Sequence, residues 1–333
     1  MKLQKMNLAD IHGLLDTNEK DITITIRPSG LQEFAINPLS WACKQILGVT
    51  FSGSTATLLG TAFHAAIHSF LTGKNERQSL IQAIMAIKDG WKFIPESKRD
   101  KSQREIYLLV KQYFLANYLS YAKNIKGKVV VSEHNMQFSL ADDIVCTGTT
   151  DHIIEENGEL IVCDIKTSAI SFSTKNVKFD GADLIQERDK LLKELELKKT
   201  KEDKRILIQK QLDEIAPLAD KLQADYDLAC YTECVKQAKA KYGIQLAVYA
   251  MLYEATTGKK INKARVELLI KTKIPKFETY EFELVDFKQY ADYQLDIIIE
   301  SINAWRKGLS SKLLFNYNNS TFFGEELGEI LGY

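Results

Sequence analysis

The spacing of apolar residues changes twice along the chain. Residues 29–46, SGLQEFAINPLSWACKQI, open on Ser29 and carry apolar side chains at helical intervals, interrupted at Asn37-Pro38. A proline disfavours helical geometry in the residue before it, so the stretch predicts two short helices. TATLLGTAFHAAIHSFLTG (55–73) predicts a helix ending at Gly73, and 77–123 predicts further amphipathic helix. The period then falls to two. VVVSEHNMQFSL, IVCTGTTDHIIEE and ELIVCDIKT are rich in β-branched residues and separated by Asp142-Asp143 and Asn157-Gly158, which predicts three consecutive antiparallel strands. Residues 181–225 return to helical intervals, with leucine and isoleucine set among dense Lys and Glu, as in a long helix or a helical hairpin. A helix at about 227–256, strands at ARVELLIKT and TYEFELV, and a helix at about 286–308 complete the pattern. The core order is helix, three strands, helix, two strands, an α+β arrangement.

One strand carries charges that its apolar setting does not account for. In IVCDIKTS (161–168), alternation puts Asp164 and Lys166 on one face and Cys163, Ile165 and Thr167 on the other. Ionised groups are costly to bury unless they are paired or coordinated. The preceding strand sets Asp151 among small residues, and the turn at Asn157-Gly158 folds it back beside 160–167. Two carboxylates and an ammonium thus converge on a sheet face. Carboxylate oxygens suit Mg²⁺ or Mn²⁺, and a neighbouring lysine can orient or deprotonate water or neutralise a phosphate. That is the chemistry of phosphodiester hydrolysis. A structural Asp–Lys pair at a strand end fits the same tripeptide.

Two helices add candidates. KYGIQLAVYAMLYEA places Gln245 and Tyr249 at i and i+4, on one face among apolar residues, a spacing that also suits a core helix with a half-buried tyrosine. GTAFHAAIHSF carries His64, a core, capping or ligand histidine, with His68 one turn further on. The pair has the spacing of a zinc-binding H-x-x-x-H but lacks the glutamate of H-E-x-x-H.

Composition narrows the partners. The 333 residues are 45% hydrophobic and 26% charged, a globular profile. Lys plus Arg and Asp plus Glu are equal at 44 each, so an anionic partner must be met by a local patch. The first residues, MKLQKMNLADIHGLL, lack the apolar core and cleavage site of a secretory signal, and the chain shows no apolar run of membrane-spanning length. The expected location is intracellular, in the cytoplasm, without a membrane. Five cysteines, Cys43, Cys146, Cys163, Cys230 and Cys234, are expected to be reduced thiols. No G-x-x-x-x-G-K-[ST] sequence occurs, so no bound nucleotide or built-in ATP motor is expected.

Taken in order, the motifs resemble the RecB-like branch of the PD-(D/E)XK nuclease superfamily. They are PSGLQEFAINPLSW, similar to S-x-L-x-x-[FY]-x-x-C-P; G-T-x-x-H ending at His64; E-x-x-x-x-F beginning at Glu133; G-x-x-D ending at Asp151; D-x-K at Asp164 and Lys166; and Q-x-x-x-Y at Gln245 and Tyr249. The resemblance covers roughly 27–178 and 227–285. It implies a restriction-endonuclease-like core, a mixed central sheet flanked by helices in the order α-β-β-β-α-β, with an N-terminal helical region and an inserted helical hairpin. The corresponding division is an N-terminal segment 1–26, one nuclease domain over 27–180 and 226–333, and a charged arm at 181–225.

The resemblance further implies that His64, Asp151, Asp164 and the main-chain carbonyl of Ile165 hold Mg²⁺ or Mn²⁺. Lys166 would position the attacking water, and Gln245 and Tyr249 would touch the DNA strand near the scissile phosphate. Glu133 begins the first core strand of the pattern and reads equally as a solvated strand residue. Relatives with an iron–sulfur cluster use a cysteine where this chain has Asn37 and three more near the C-terminus, where FNYNNSTFFGEELGEILGY has none. No cluster is expected, and Cys230 and Cys234 do not replace it. The inserted segment carries Lys190, Lys193, Lys198, Lys199, Lys201, Lys204 and Arg205 among glutamates, which suits a solvated hairpin or a DNA-contacting arm. The expected function is a metal-dependent DNA exonuclease in recombination, repair or phage DNA processing, acting on a duplex end or a single strand. A helicase or single-strand-annealing partner would be a separate chain. A non-catalytic DNA-binding or scaffold module, an RNA substrate and endonuclease action are the alternatives.

Overall fold

The computed structural model describes residues 6–50, 53–125, 127–197, 201–272 and 275–318. The chain divides into two compact units, Met1–Ile170 with Ala240–Tyr333, and Ser171–Lys239.

The first unit opens with α1 (Leu8–Thr17), the short strand β1 (Ile24–Ile26), α2 (Pro28–Ile36) and α3 (Pro38–Gln45). The break between α2 and α3 falls at Asn37-Pro38. Asn37 accepts a hydrogen bond from Ser40 N at 3.3 Å as the cap of α3 and donates from Nδ2 to the Asn318 carbonyl at 2.8 Å. Asn37 thus has a buried capping role. The tail beyond residue 318 lies outside the described residues. Ser54 and Thr57 form a reciprocal capping box that starts α4 (Thr55–Leu71). α5 (Glu76–Trp91), α6 (Gln103–Tyr113), a π-helical turn (Phe114–Tyr118) and α7 (Leu119–Lys123) follow. Phe63, Phe114 and Tyr118 from this helical layer pack with Ile165 and Leu269 of the sheet in one core.

Among the described residues six strands form one mixed sheet: β1, β2 (Lys128–Ala141), β3 (Ile144–Glu156), β4 (Glu159–Ser168), β5 (Lys263–Ile270) and β6 (Lys276–Glu283). The β3–β4 turn is Asn157-Gly158 with φ of 54° and 81°, the left-handed pair that a two-residue type I′ hairpin needs. β4 and β5 run parallel, and the chain between them includes the second unit. α10 (Val285–Arg306) and α11 (Ser311–Leu314) follow the sheet. The fold is thus α+β, a central mixed sheet flanked by helices. β1 escapes the sequence pattern because three residues are too few to show a period.

The pairing of β3 positions the site. β2 pairs with β3 along nearly its whole length, from Ile144 to Glu155. The opposite edge is shared: β1 takes Ile144–Cys146, and β4 begins only at His152. Residues 147–151 therefore face a gap between two partner strands. Gly148 sits in that gap because a Cβ there would lie 2.7 Å from the Pro28 ring and 2.8 Å from Tyr249 Cε1.

The second unit contains α8 (Ala182–Glu196) and the first part of α9 (Glu202–Thr257). α9 runs without interruption through Pro217 and past residue 226, where the sequence pattern suggested a boundary. Within the unit the two helical segments run antiparallel: Arg188 meets Asp220 at 2.7 Å, and Lys204 meets Glu194 at 3.2 Å. Lys198 and Lys199 lie outside the described residues.

Candidate active site

Strand divergence creates the site. The last β3–β4 pair is His152 with Cys163, and one residue further on the same register sets Asp151 against Asp164 as the strands part. The Ile165 N–H donates to Asp151 Oδ2 at 2.6 Å, so a side chain closes the ladder where the β3 backbone has turned away. On the other edge of β3, Glu133 lies opposite Asp151 between the pairs Ser132–His152 and His134–Thr150. Glu133 has φ of 48°, a left-handed conformation that costs energy in a glutamate and re-aims its side chain out of the regular pleat.

α4 brings His64 to these carboxylates. His64 Nδ1 is 3.1 Å from Asp151 Oδ1 and 4.0 Å from Glu133 Oε1. Ligand atoms of His64, Glu133 and Asp151 all lie within 4.8 Å of one another. A cleft of about 1000 Å³ opens over the cluster, lined among others by His64, Glu133, Asp151, Ile165, Lys166 and Lys271. His68, one turn on, lines the same cleft, and its Nδ1 lies 2.9 Å from Ser132 Oγ.

Asp164 sits deeper, its side chain 4% exposed, in a two-point contact with Lys166 Nζ at 2.8 and 3.0 Å. Gln245 Nε2 donates to Tyr249 OH at a long 3.4 Å, one turn apart on α9 as their spacing predicts. Neither they nor Asp164 line the cleft itself. The Tyr242 ring lies 5.5 Å from Lys166 Nζ. Sequence reading missed Tyr242, although its i, i+3, i+7 relation to Gln245 and Tyr249 places all three on one helical stripe.

The charges form one interacting set. Burial lowers the pKa of His64, but the carboxylates of Asp151, Asp164 and Glu133 outweigh it and the net shift is upward. Burial pushes Asp151 up, yet His64, Lys166 and the Ile165 N–H hold it below its usual value. Asp164 is raised, by burial first and then by repulsion from Asp151, against the pull of Lys166. Burial and Asp151 also raise Glu133. Lys166 is held above the ordinary lysine value because Asp164 and Asp151 overcome its burial, so it remains an ammonium. Burial, with Asp164 nearby, takes the Tyr249 phenol up to about 12.

A divalent metal fits this donor set. Three carboxylates share a confined space with one lysine, an excess of negative charge that His64 alone does not balance. Carboxylate oxygens are suitable ligands for Mg²⁺ or Mn²⁺. His64, Glu133 and Asp151 already converge, with Asp164 the next carboxylate inward.

A search of curated proteins finds no match. The solved structure of a "Putative exonuclease" from Eubacterium rectale resembles the chain with a TM-score of 0.49 and 13% identity, over 98% of this chain and 93% of that one. Residues 25–188, which hold His64, Glu133, Asp151, Asp164 and Lys166, match the family described as the PD-(D/E)XK nuclease superfamily. The stretch that builds the sheet gap and its cluster of charged side chains is therefore the part of the chain that is similar to the PD-(D/E)XK nuclease superfamily.

Proposed function

We propose that the chain is a metal-dependent DNA nuclease that hydrolyses phosphodiester bonds as an exonuclease. The observation that carries the reading is the convergence of His64, Glu133 and Asp151 at the sheet gap, beside the Asp164–Lys166 pair and open to a cleft. The ordered motifs, which resemble the RecB-like branch, support exonuclease action and a role in recombination, repair or phage DNA processing. The domain division is part of the same proposal, with 181–225 an arm inserted into one nuclease domain.

In this reading His64, Asp151, Asp164 and the Ile165 carbonyl hold Mg²⁺ or Mn²⁺, and Glu133 joins them as a further carboxylate. The ion supplies Lewis-acid polarisation of the phosphoryl group. Asp151 holds the Ile165 backbone through its second oxygen, which fixes the chain at the point where the strands part. Lys166, an ammonium between Asp164 and the cleft, orients the attacking water and neutralises charge on the phosphate rather than removing a proton. Water adds to phosphorus and gives up a proton to solvent, the P–O bond to the leaving nucleotide breaks, and the departing oxygen takes a proton from solvent to become a hydroxyl. Gln245 and Tyr249 contact the strand next to the scissile phosphate. Their half-burial supports an edge contact rather than a flat stacking surface.

The test uses end-labelled linear duplexes, single strands and closed circles, of DNA and of RNA, with Mg²⁺, Mn²⁺ or EDTA. The expected result is stepwise shortening of linear DNA with either metal, intact circles, and no cleavage in EDTA. Cut circles would replace exonuclease with endonuclease, and preferential loss of RNA would replace the substrate. No cleavage of any substrate would favour the non-catalytic module.

A further inference from the structure

One residue back from the ion cluster, the other face of the sheet buries a second set of ligating side chains. His152 on β3, Cys163 on β4 and Glu267 on β5 come from three adjacent strands, and each is at most 1% exposed. His152 faces Cys163 as the last pair before β3 and β4 part, and Glu267 is in register with Ile165. Ligand atoms of all three lie within 4.8 Å of one another. His152 Nε2 is 3.0 Å from Glu267 Oε1, and the Tyr121 hydroxyl of α7 donates to the same oxygen at 2.6 Å.

A simple His–Glu ion pair does not account for the whole arrangement. His152 Nδ1 and Glu267 Oε2 are buried without a hydrogen-bond partner. An orphaned buried polar atom is costly, because it has lost water without gaining a partner. The nearby guanidinium is already committed, since Arg265 pairs with Glu156 at 2.6 Å and Glu281 at 2.7 Å.

We propose that His152, Cys163 and Glu267 form a structural zinc site that ties β3, β4 and β5 together where the sheet opens. The donor set selects the metal. A thiolate and an imidazole favour Zn²⁺ over Mg²⁺, and a structural zinc site is closed and four-coordinate. The second carboxylate oxygen of Glu267 or the Tyr121 hydroxyl supplies the fourth position. Ligation releases the Cys163 thiol proton and the proton shared by His152 and Glu267 to solvent, without oxidation or reduction. Zn²⁺, thiolate and carboxylate then sum to zero charge with a neutral imidazole, which suits a site closed to water. Loading takes place as the chain folds, and the site stands independently of the nuclease reading.

The test is the metal content of protein expressed in zinc- or cobalt-supplemented medium and then dialysed against EDTA to strip accessible ions. The wild type should keep about one zinc per chain, the stoichiometry of a single closed site. The cobalt-loaded form should show thiolate-to-cobalt charge-transfer absorption. Asp151→Ala, altered in the cleft, should keep the zinc, and Cys163→Ser should lose both the zinc and the band. Folded wild type with neither retained zinc nor a cobalt–thiolate band overturns the proposal, even if Cys163→Ser does not fold. So does zinc that survives Cys163→Ser or disappears with Asp151→Ala.

Discussion

Asp151 and Asp164 differ by one residue step from His152 and Cys163, and that step separates two solvents. The outer pair meets His64, Glu133 and Lys166 beside a cleft, and its charges are balanced by neighbours that water and ions can reach. The inner pair meets Glu267 and Tyr121 in a compartment closed to water. Both clusters combine histidine with carboxylate. What differs is the strand pairing: backbone bonds join β3 to β4 up to His152 and Cys163 and stop there. Where pairing continues, the side chains are sealed inside the fold; where it ends, they face a cleft that a substrate can enter.

The sharpest way to break this comparison is to remove the outer carboxylates. Asp151→Ala and Asp164→Ala should each abolish cleavage and leave the fold intact. The Asp164 change relieves repulsion with Asp151 but also takes a partner from Lys166, so the two effects on metal-free stability oppose each other. Circular dichroism and a cleavage assay on the same samples check both statements, and normal turnover by both variants removes the ion-binding assignment.

Lys166→Ala should lower the single-turnover rate by about 100-fold to 10,000-fold, the range for a lost proton-handling or charge-stabilising group, while Mn²⁺ affinity is largely kept. A lysine that only pairs with Asp164 would give the reverse pattern.

On the inner side, Glu267→Ala leaves a buried histidine without its partner and should cost about 3–5 kcal/mol, read from urea unfolding of the metal-free protein. Glu133→Ala, at the cleft, should cost far less. Equal losses at the two positions would erase the distinction between the faces.

The pH dependence sharpens the outer cluster. The folded-state pKa of His64 is raised above 6.5, so its pairing contributes stability that is fully present below that value. The contribution is lost as pH rises through the raised folded value. His64→Gln should remove this part of the metal-free stability profile, and an unchanged profile would separate His64 from the carboxylates.

The smallest expected effect concerns the inserted segment. Gly181 lies against Leu222, with a Cβ position 3.0 Å from its side chain, so a short Gly-Ser linker can replace 183–222. The shortened protein should fold. Weaker DNA binding with a flatter salt dependence would assign the segment a contact with phosphates, and unchanged binding would leave it as a solvated hairpin.

Local chemistry made much of this legible in the sequence. Asn157-Gly158 announces the hairpin because its backbone demands positive φ, and Asp164-x-Lys166 stands out because charges in an apolar strand need partners. The two-helix entry with its break at Asn37-Pro38 follows from proline sterics. The gap in β3 was not legible, since it depends on two partner strands distant in sequence. Glu133 is marked in the sequence as the start of E-x-x-x-x-F but reads equally there as a solvated strand residue, because its left-handed backbone is not legible. Glu267 occupies an alternate position in ARVELLIKT, where polarity reads as an ordinary strand face; it is buried because β3 and α7 bring His152 and Tyr121 over it. The continuity of α9 was hidden for the same reason, its charged and apolar stretches looking like separate elements.

The central claim is that the parting of β3 and β4 creates an ion site between His64, Glu133, Asp151 and Asp164. Anomalous diffraction from a crystal soaked in Mn²⁺ tests it most directly. The account predicts a manganese peak bonded to Asp151, with His64 and at least one further carboxylate in its coordination shell, and no such peak in Asp151→Ala. A soaked crystal with no manganese at the gap, or manganese bound only at surface carboxylates elsewhere, would contradict it.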